Sequence, residues 1–253
     1  YAFRDSLRRL AWQSWRAGIF DERWLVREHG LSEQFRQQHG TFMQSNKGFG
    51  YWIWKPEVIV CALEKLNWGD ILLYLDAGCH INSRQGSDLV RVLSWVKTSP
   101  CGVVASRLQL PERDWNKRYA LERLGAVEDE TVLDSGQIQA GVLIIQKSPS
   151  SLKLLNDWHA LCTSDYKLID DETSRSEAHS FREHRHDQAI FSLLAKRAGV
   201  QTFPSELMEE WREKSDSSQW KFPIQMMRDR KGPTRWARKK ARRAVRYFSA
   251  LFR

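Results

Sequence analysis

Residues 71–76, Ile-Leu-Leu-Tyr-Leu-Asp, form a continuous apolar run that ends in a carboxylate. Polar residues and glycine bound this run, which is typical of a fully buried strand in a parallel sheet. Asp76, Ala77 and Gly78 would then lie at the carboxyl edge of the sheet, where ligands bind in open α/β folds. A small residue and a glycine let a diphosphate or sugar come close, and a carboxylate there can hold Mg²⁺ or Mn²⁺. The alternative is that Asp76 caps a helix or anchors a loop.

Helical and extended patterns alternate on both sides of this run. Helices are predicted over residues 4–18, 56–66, 86–97, 111–123, 151–162 and 187–198. Further strands are predicted over residues 102–106, 139–146 and 200–204. This order predicts an α/β fold, a Rossmann-like and mostly parallel sheet flanked by helices, within one domain of residues 1–227. The polar, acid-rich residues 163–183 are predicted to form a mobile loop.

The net charge of +9 comes from the C-terminal tail, residues 228–253. The tail holds 11 Lys and Arg and one Asp, whereas the other 227 residues hold 29 basic and 30 acidic ones. Since the body lacks excess basic charge, a nucleic-acid partner is not expected. The tail predicts a basic amphipathic helix suited to an anionic membrane surface, with a partner enzyme or RNA as alternatives. The residues expected at the membrane are Arg235, Trp236, Arg238, Lys239, Lys240, Arg242, Arg243 and Arg246.

The four cysteines are too widely spaced for a CxxC pair and favour free thiols in a reducing compartment. No run approaches the roughly 18 apolar residues of a transmembrane helix. We therefore expect a cytoplasmic protein, peripheral at the inner face of the cell membrane.

Residues 47–56, Lys-Gly-Phe-Gly-Tyr-Trp-Ile-Trp-Lys-Pro, form a glycine-rich aromatic segment. Lys47 and Lys55 could neutralise a diphosphate, and the aromatic rings could stack on a base or a sugar. The alternative is a buried aromatic cluster with two solvated lysines. A P-loop is excluded because GxxxxGK[ST] is absent.

Residues 184–188, His-Arg-His-Asp-Gln, precede a clearly helical apolar pattern. Asp187 could cap that helix, or it could act as an ionised general base toward a sugar hydroxyl. His184 and His186 could bind a metal or a donor phosphate. Upstream, residues 134–141 combine polar side chains with two glycines, which suits either a sugar-binding loop or an ordinary connection.

Taken in order, four segments resemble GT-A-type glycosyltransferases of bacterial surface-polysaccharide synthesis (O-antigen or capsule). They are GYWIWKP (50–56), GDILLYLDAGC (69–79), QIQAGVLIIQKS (137–148) and HRHDQAIFSLLAKR (184–197). The resemblance spans roughly residues 1–204. It implies a GT-A-like fold, a nucleotide-sugar donor such as UDP-hexose or UDP-galactofuranose, and a lipid-linked glycan acceptor.

The resemblance also implies roles for individual residues. Asp76 resembles the first carboxylate of an Asp-x-Asp motif that holds Mn²⁺ or Mg²⁺, but Gly78 stands in place of the second, so His80, His184 or His186 could complete the site. Asp187 takes the place of the catalytic base. Donor-binding roles fall on Tyr1, Arg4, Lys47, Tyr51, Trp54, Lys55, Asp76, Ala77 and Gly78. Acceptor or donor-sugar roles fall on Asp134, Gln137, Gln139, Gly141, His186 and Gln188.

Two other classes stay open. A metal-dependent hydrolase would use His184, His186 and Asp76, and would bind zinc without needing a nucleotide. A non-catalytic module would bind a membrane or a partner through the tail.

Overall fold

A computed structural model describes residues 3–45, 47–209 and 219–228 of the 253-residue chain. The predicted tail helix and the donor contact at Tyr1 therefore lie outside the described residues, and the domain boundary at residue 228 stays a prediction. The chain divides into two units. The first unit comprises Tyr1–Leu25, Leu75–Val92 and Leu207–Arg253, and the second comprises Val26–Tyr74 and Leu93–Glu206.

The helices and strands follow the predicted alternation closely. The helices are α1 (Arg4–Ala17), α2 (Glu33–Ser45), α3 (Lys47–Tyr51), α4 (Trp54–Glu64), α5 (Gly86–Ser94), α6 (Glu112–Trp115), α7 (Arg118–Arg123), α8 (Glu130–Asp134), α9 (Pro149–Ser164), α10 (His186–Arg197) and α11 (Glu206–Glu209). The strands are β1 (Ile71–Leu75), β2 (Cys79–Ile81), β3 (Val103–Pro111), β4 (Gly136–Gln146), β5 (Gln201–Pro204) and β6 (Ile224–Met226). Within the described residues, no helix has both the length and the apolar character needed to cross a membrane.

The second unit is built on a four-stranded sheet in the order β1-β4-β3-β5. Strand β3 runs antiparallel to β4 and parallel to β5, so the prediction of a mostly parallel sheet is wrong and the sheet is mixed. The prediction that β1 is fully buried is also wrong, because every residue of β1 is half-buried. Among the described residues, β1 lies at one end of the strand order and has a neighbouring strand on one side only.

The core of the second unit lies on β4, whose residues from Gln137 to Ile145 are all buried. Helices α9 and α10 contribute Trp158 and Phe191, whose ring centroids lie 4.8 Å apart and whose side chains are inaccessible to solvent. A buried Trp or Phe removes a large apolar area from water, so this pair stabilises the packing of α9 and α10.

Strand β4 begins three residues earlier than predicted, inside the stretch expected to be a sugar-binding loop. Gly136 pairs with Pro111 of β3, and a Cβ atom on Gly136 would lie 1.8 Å from the carbonyl oxygen of Leu108. Only glycine allows that approach of two backbones. The loop prediction for residues 136–141 is therefore wrong.

The first unit contains α1, α5 and the antiparallel pair of β2 and β6. Helix α1 matches its predicted range, and Gly18 ends it in the left-handed conformation with φ 66°. The two short strands were not predicted, since three residues give too short a pattern to detect.

Candidate functional site

The backbone turns left-handed for five consecutive residues in the aromatic segment 48–52, so the range labelled α3 is not a regular helix. Gly48, Phe49 and Gly50 have φ of 63°, 57° and 78°, and Tyr51 and Trp52 have φ of 49° and 63°. Each non-glycine residue in this conformation costs about 1–2 kcal/mol. Such strain persists only where the surroundings enforce it, and it is typical of functional sites.

Backbone and ring contacts hold this left-handed turn in place. The backbone N–H of Ile53 donates to Gly50 at 3.0 Å, and the indole N–H of Trp54 donates to the carbonyl oxygen of Gly48 at 3.0 Å. The Trp52 ring lies against Gly48, where a Cβ atom would come within 2.6 Å of it. The predicted role of Trp54 in donor binding stays a prediction, and its observed contact is structural.

The turn places two aromatic rings against His186, the first residue of α10. The ring centroid of His186 lies 4.8 Å from that of Tyr51 and 5.6 Å from that of Trp52. His186 also has a positive φ of 53°. Two strained segments, distant in sequence, thus meet at one imidazole.

The segment 168–172, predicted to be part of a mobile loop, is anchored by three buried donors. His184 Nε2 donates to the carbonyl oxygen of Leu168 at 2.8 Å, and His186 Nδ1 donates to that of Ile169 at 2.7 Å. Lys117 Nζ donates to the carbonyl oxygen of Asp170 at 2.9 Å and also pairs with its carboxylate. Lys117 Nζ also donates to the carbonyl oxygen of Glu172 at 3.1 Å, so these bonds fix the backbone on either side of Asp171.

The anchored segment 168–172 carries Asp171, a carboxylate that is accessible to solvent. Its side chain is 47% exposed, and its Oδ1 lies 3.1 Å from Lys47 Nζ and 3.7 Å from His186 Nε2. Burial and the nearby Asp171 carboxylate together raise the pKa of Tyr51. Lys47, Tyr51, Trp52, Asp171 and His186 form what we call the Asp171 cluster. No local pattern marks Asp171 in the sequence, since it stands in an acid-rich stretch.

The two histidines of the cluster region are neutral and have defined tautomers. The backbone N–H of Lys117 donates to His184 Nδ1 at 3.2 Å, so the proton of His184 is on Nε2. Burial is the main cause that lowers the pKa of His184 well below its ordinary value of 6.5, and the Lys117 ammonium lowers it further. Burial also lowers the pKa of His186, which carries its proton on Nδ1 and leaves a lone pair on Nε2. That Nε2 atom is buried and has no hydrogen-bond partner in the described part of the chain.

The residues predicted as base and diphosphate ligand, Asp187 and Lys55, pair with each other. Lys55 Nζ lies 3.1 Å from Asp187 Oδ2, and the two side chains are only 6% and 4% exposed. The carbonyl oxygen of Asp187 accepts the indole N–H of Trp158 at 2.9 Å. The pair therefore faces the interior, where a charge requires a partner.

The three predicted sugar-site glutamines are joined to the framework. Gln188 Nε2 donates to Gln137 Oε1 at 2.8 Å, and Gln137 Nε2 donates to the carbonyl oxygen of Trp115 at 3.1 Å. Gln139 Oε1 accepts the Ser106 hydroxyl at 2.6 Å. These bonds tie α10 to the middle of the sheet.

Asp134 and Gly141, which were also predicted to bind the acceptor or the donor sugar, do not belong to the Asp171 cluster. Asp134 pairs with the Arg113 guanidinium at 2.6 Å on the surface. Gly141 lies within the buried centre of β4. Neither position offers a side chain to the cluster.

Asp76, Ala77 and Gly78 belong to the first unit. Arg9 Nη2 donates to the carbonyl oxygen of Ala77 at 3.1 Å. A Cβ atom on Gly78 would lie 2.9 Å from the Cα of Arg228, so the glycine admits a neighbouring backbone. The predicted donor-binding roles of these three residues and of Arg4, which is exposed on α1, stay predictions.

The described side chains do not fit a metal site built from the protein alone. In residues 3–45, 47–209 and 219–228, no three His, Cys, Asp or Glu side chains are grouped so as to hold a metal ion. His184 bonds through both nitrogens, which leaves it no lone pair for a metal, and His80 Nδ1 lies 3.3 Å from Gln13 Nε2. The geometry thus gives no support to a zinc hydrolase built on His184.

The second unit is therefore a mixed α/β unit with a polar and aromatic cluster at the start of α10. No family model matches the chain, and no curated protein matches it. Among solved structures, the chain is similar to the crystal structure of mouse xyloside xylosyltransferase 1 in its apo form. The identity is 13%, the TM-score is 0.41, and the match covers 78% of this chain and 71% of that chain. A similarity at this level carries no conclusion about activity.

Proposed function

We propose that this protein is a glycosyltransferase that moves a sugar from a nucleoside-diphosphate donor to a hydroxyl of a glycan acceptor. The observation that supports it best is the Asp171 cluster, in which a strained turn sets two aromatic rings and a lysine beside a reachable carboxylate. Aromatic faces suit a sugar ring or a base. A lysine offsets diphosphate charge, and a carboxylate accepts the proton of an attacking hydroxyl.

In the proposed reaction, the acceptor oxygen bonds to the anomeric carbon of the donor sugar as the bond to the nucleoside diphosphate breaks. Asp171 takes the proton of the acceptor hydroxyl. Lys47, 45% exposed and 3.1 Å from Asp171, stabilises the negative charge that develops on the departing diphosphate. Tyr51 and Trp52 contact the base or the sugar.

The assignment of the base to Asp171 replaces the sequence-based choice of Asp187. Both carboxylates lie 3.1 Å from a lysine, but Asp187 is 3% exposed, whereas about half of the Asp171 side chain is open to solvent. A base must come within hydrogen-bonding distance of the proton that it removes. In this proposal Asp187 is a positioning residue that holds Lys55 and the start of α10.

The finer features of the proposal follow from the resemblance described above. The donor is UDP-hexose or UDP-galactofuranose, and the acceptor is a lipid-linked surface polysaccharide. Asp76, Ala77 and Gly78 contact the donor diphosphate, and Mn²⁺ or Mg²⁺ is the expected cofactor. Because the described side chains do not form a metal cage by themselves, no step of the reaction is assigned to a metal.

Calorimetry with UDP, in the presence and absence of Mn²⁺, tests the proposal. We expect micromolar binding that weakens in Lys47→Ala and in Asp76→Ala. Lys153→Ala is the control, since Lys153 is also an exposed lysine paired with an aspartate, at 2.7 Å. Binding that Lys47→Ala leaves unchanged would move the diphosphate contacts elsewhere. A failure to bind UDP, GDP, CDP, ADP or dTDP would overturn the proposal.

A further inference from the structure

Helix α1 has an inverted distribution of polar and aromatic side chains. Its inner face buries Ser6, Arg9 and Leu10. Its outer face exposes tryptophan, with Trp12 50% and Trp15 64% accessible to solvent. A buried arginine and an exposed pair of large aromatic side chains are both unusual, and both call for a physical reason.

The inner face is explained by the backbone that it supports. Arg9 Nη2 donates to the carbonyl oxygens of Ala77 and Cys79, each at 3.1 Å. Gln13 Oε1 accepts the backbone N–H of Ile81 at 3.1 Å. The polar inner side chains thus satisfy the backbone at β2 and do not need an apolar partner.

The outer face is coherent along the helix. Exposed residues recur at helical spacing, and we call this set the outer face of α1: Arg4, Arg8, Trp12, Trp15 and Arg16. The guanidinium of Arg16 lies 5.5 Å from the centre of the Trp12 ring. Asp5 is the acidic residue of this helix, and it lies 3.9 Å from Arg8. The face is therefore aromatic and positively charged.

We propose that the outer face of α1 binds the surface of an anionic lipid bilayer. Tryptophan favours the boundary between headgroups and acyl chains, while arginine reaches the phosphates from the same helix face. The three exposed arginines of this face, Arg4, Arg8 and Arg16, supply the positive charge that attracts it to such a surface. A bilayer accepts alternating aromatic and basic side chains without a shaped partner surface. This inference does not depend on the proposed catalytic function.

Co-sedimentation of the full chain with lipid vesicles tests it. Vesicles of phosphatidylcholine alone are compared with vesicles that contain phosphatidylglycerol. The key variant is Trp12→Ala/Trp15→Ala, and we expect its partition onto the anionic vesicles to fall by about tenfold or more. The control is Trp68→Ala, because Trp68 is equally exposed at 66% but lies in the second unit.

A second variant keeps the test independent of any change in folding. Arg8→Gln/Arg16→Gln retains both tryptophans, and we expect its preference for anionic over neutral vesicles to be weaker than that of the wild type. Quenching of tryptophan fluorescence by brominated lipid should fall in the Trp12/Trp15 variant and persist in the control.

Three results would overturn the proposal. The first is no vesicle binding by the wild type. The second is binding that the double tryptophan variant leaves unchanged, which would place the membrane contact elsewhere in the chain. The third is self-association or binding of a protein, lost in the same variant while vesicle binding persists, which would make the face a protein interface.

Discussion

Lys55 Nζ lies 3.1 Å from Asp187 Oδ2, and both side chains are almost fully buried. Removing one partner of a buried ion pair leaves an uncompensated charge and costs about 3–5 kcal/mol, whereas replacing both costs less. We therefore expect Lys55→Met and Asp187→Leu each to lower the free energy of unfolding by that amount. The double variant should be more stable than the sum of the two changes predicts, as measured by chemical denaturation. Strictly additive effects would show that the pair is not coupled.

A change at Asp171 is expected to affect activity, whereas a change at Asp187 is expected to affect stability. Asp171→Asn should reduce kcat by a factor of about 10²–10⁴, because a general base is lost, and should leave the melting temperature nearly unchanged. The measurement is the release of UDP from the donor sugar together with a thermal melt. Asp157→Asn is the matched control, since Asp157 is 46% exposed and is also paired with a lysine. Loss of stability in Asp171→Asn with kcat retained would make Asp171 structural.

The helices and strands were predictable where a local pattern dictates them. Gly18 marks the end of α1, and the apolar spacing of residues 189–194 marks α10. The direction of β4 was not predictable, because α6, α7 and α8 separate it from β3 and suggest a parallel crossover. In the structure the two ends of this connection lie side by side, because the backbone N–H of Glu112 donates to the carbonyl oxygen of Ser135 at 3.1 Å. The two strands therefore run antiparallel.

Individual residues of the site could be predicted from the sequence, but the contacts between them could not. Lys55 and Asp187 were both recognised from the sequence, yet 132 positions separate them and no local pattern predicts their ion pair. Asp171 was missed because Asp170 and Glu172 beside it carry the same charge. What distinguishes Asp171 is tertiary, since three buried donors hold the backbone around it.

Buried histidines make the stability depend on pH near neutrality. Burial is the main cause that lowers the pKa of His39, His184 and His186 below the ordinary value of 6.5. As the pH falls through about 6.5, the unfolded chain takes up protons that the folded chain does not, so the folded state loses stability. Above about pH 6.5 this contribution to stability is fully present. Below that pH it declines as the pH falls, until the pKa values of the folded state are reached.

We expect the melting temperature to be constant between pH 8 and about pH 7 and to fall toward pH 5.5, where carboxylates stay largely ionised. Histidine ¹H–¹⁵N spectra at pH 8 should show His184 protonated on Nε2 alone and His186 on Nδ1 alone. An imidazolium pattern at His184 would contradict its assigned hydrogen bonds, because a protonated Nδ1 could not accept the Lys117 N–H.

The left-handed turn predicts a specific cost at Gly48. Gly48 and Gly199 have nearly equal φ of 63° and 67°, but the space around them differs. A Cβ atom on Gly199 would meet nothing within 4 Å, whereas one on Gly48 would come within 2.6 Å of the Trp52 ring. Gly199→Ala therefore measures the cost of the conformation alone, about 1–2 kcal/mol. Gly48→Ala adds a clash.

The clash at Gly48 should act on the site as well as on stability. The alanine methyl group has to displace the Trp52 ring, and that ring packs on His186 at 5.6 Å between centroids. We expect Gly48→Ala to lose about 1–3 kcal/mol more than Gly199→Ala and to weaken UDP binding, which Gly199→Ala leaves unchanged. Denaturation and calorimetry on the two variants separate these effects. Equal losses of stability with UDP affinity intact in both variants would mean that Trp52 can move without consequence, and that the strained turn does not shape the ligand site.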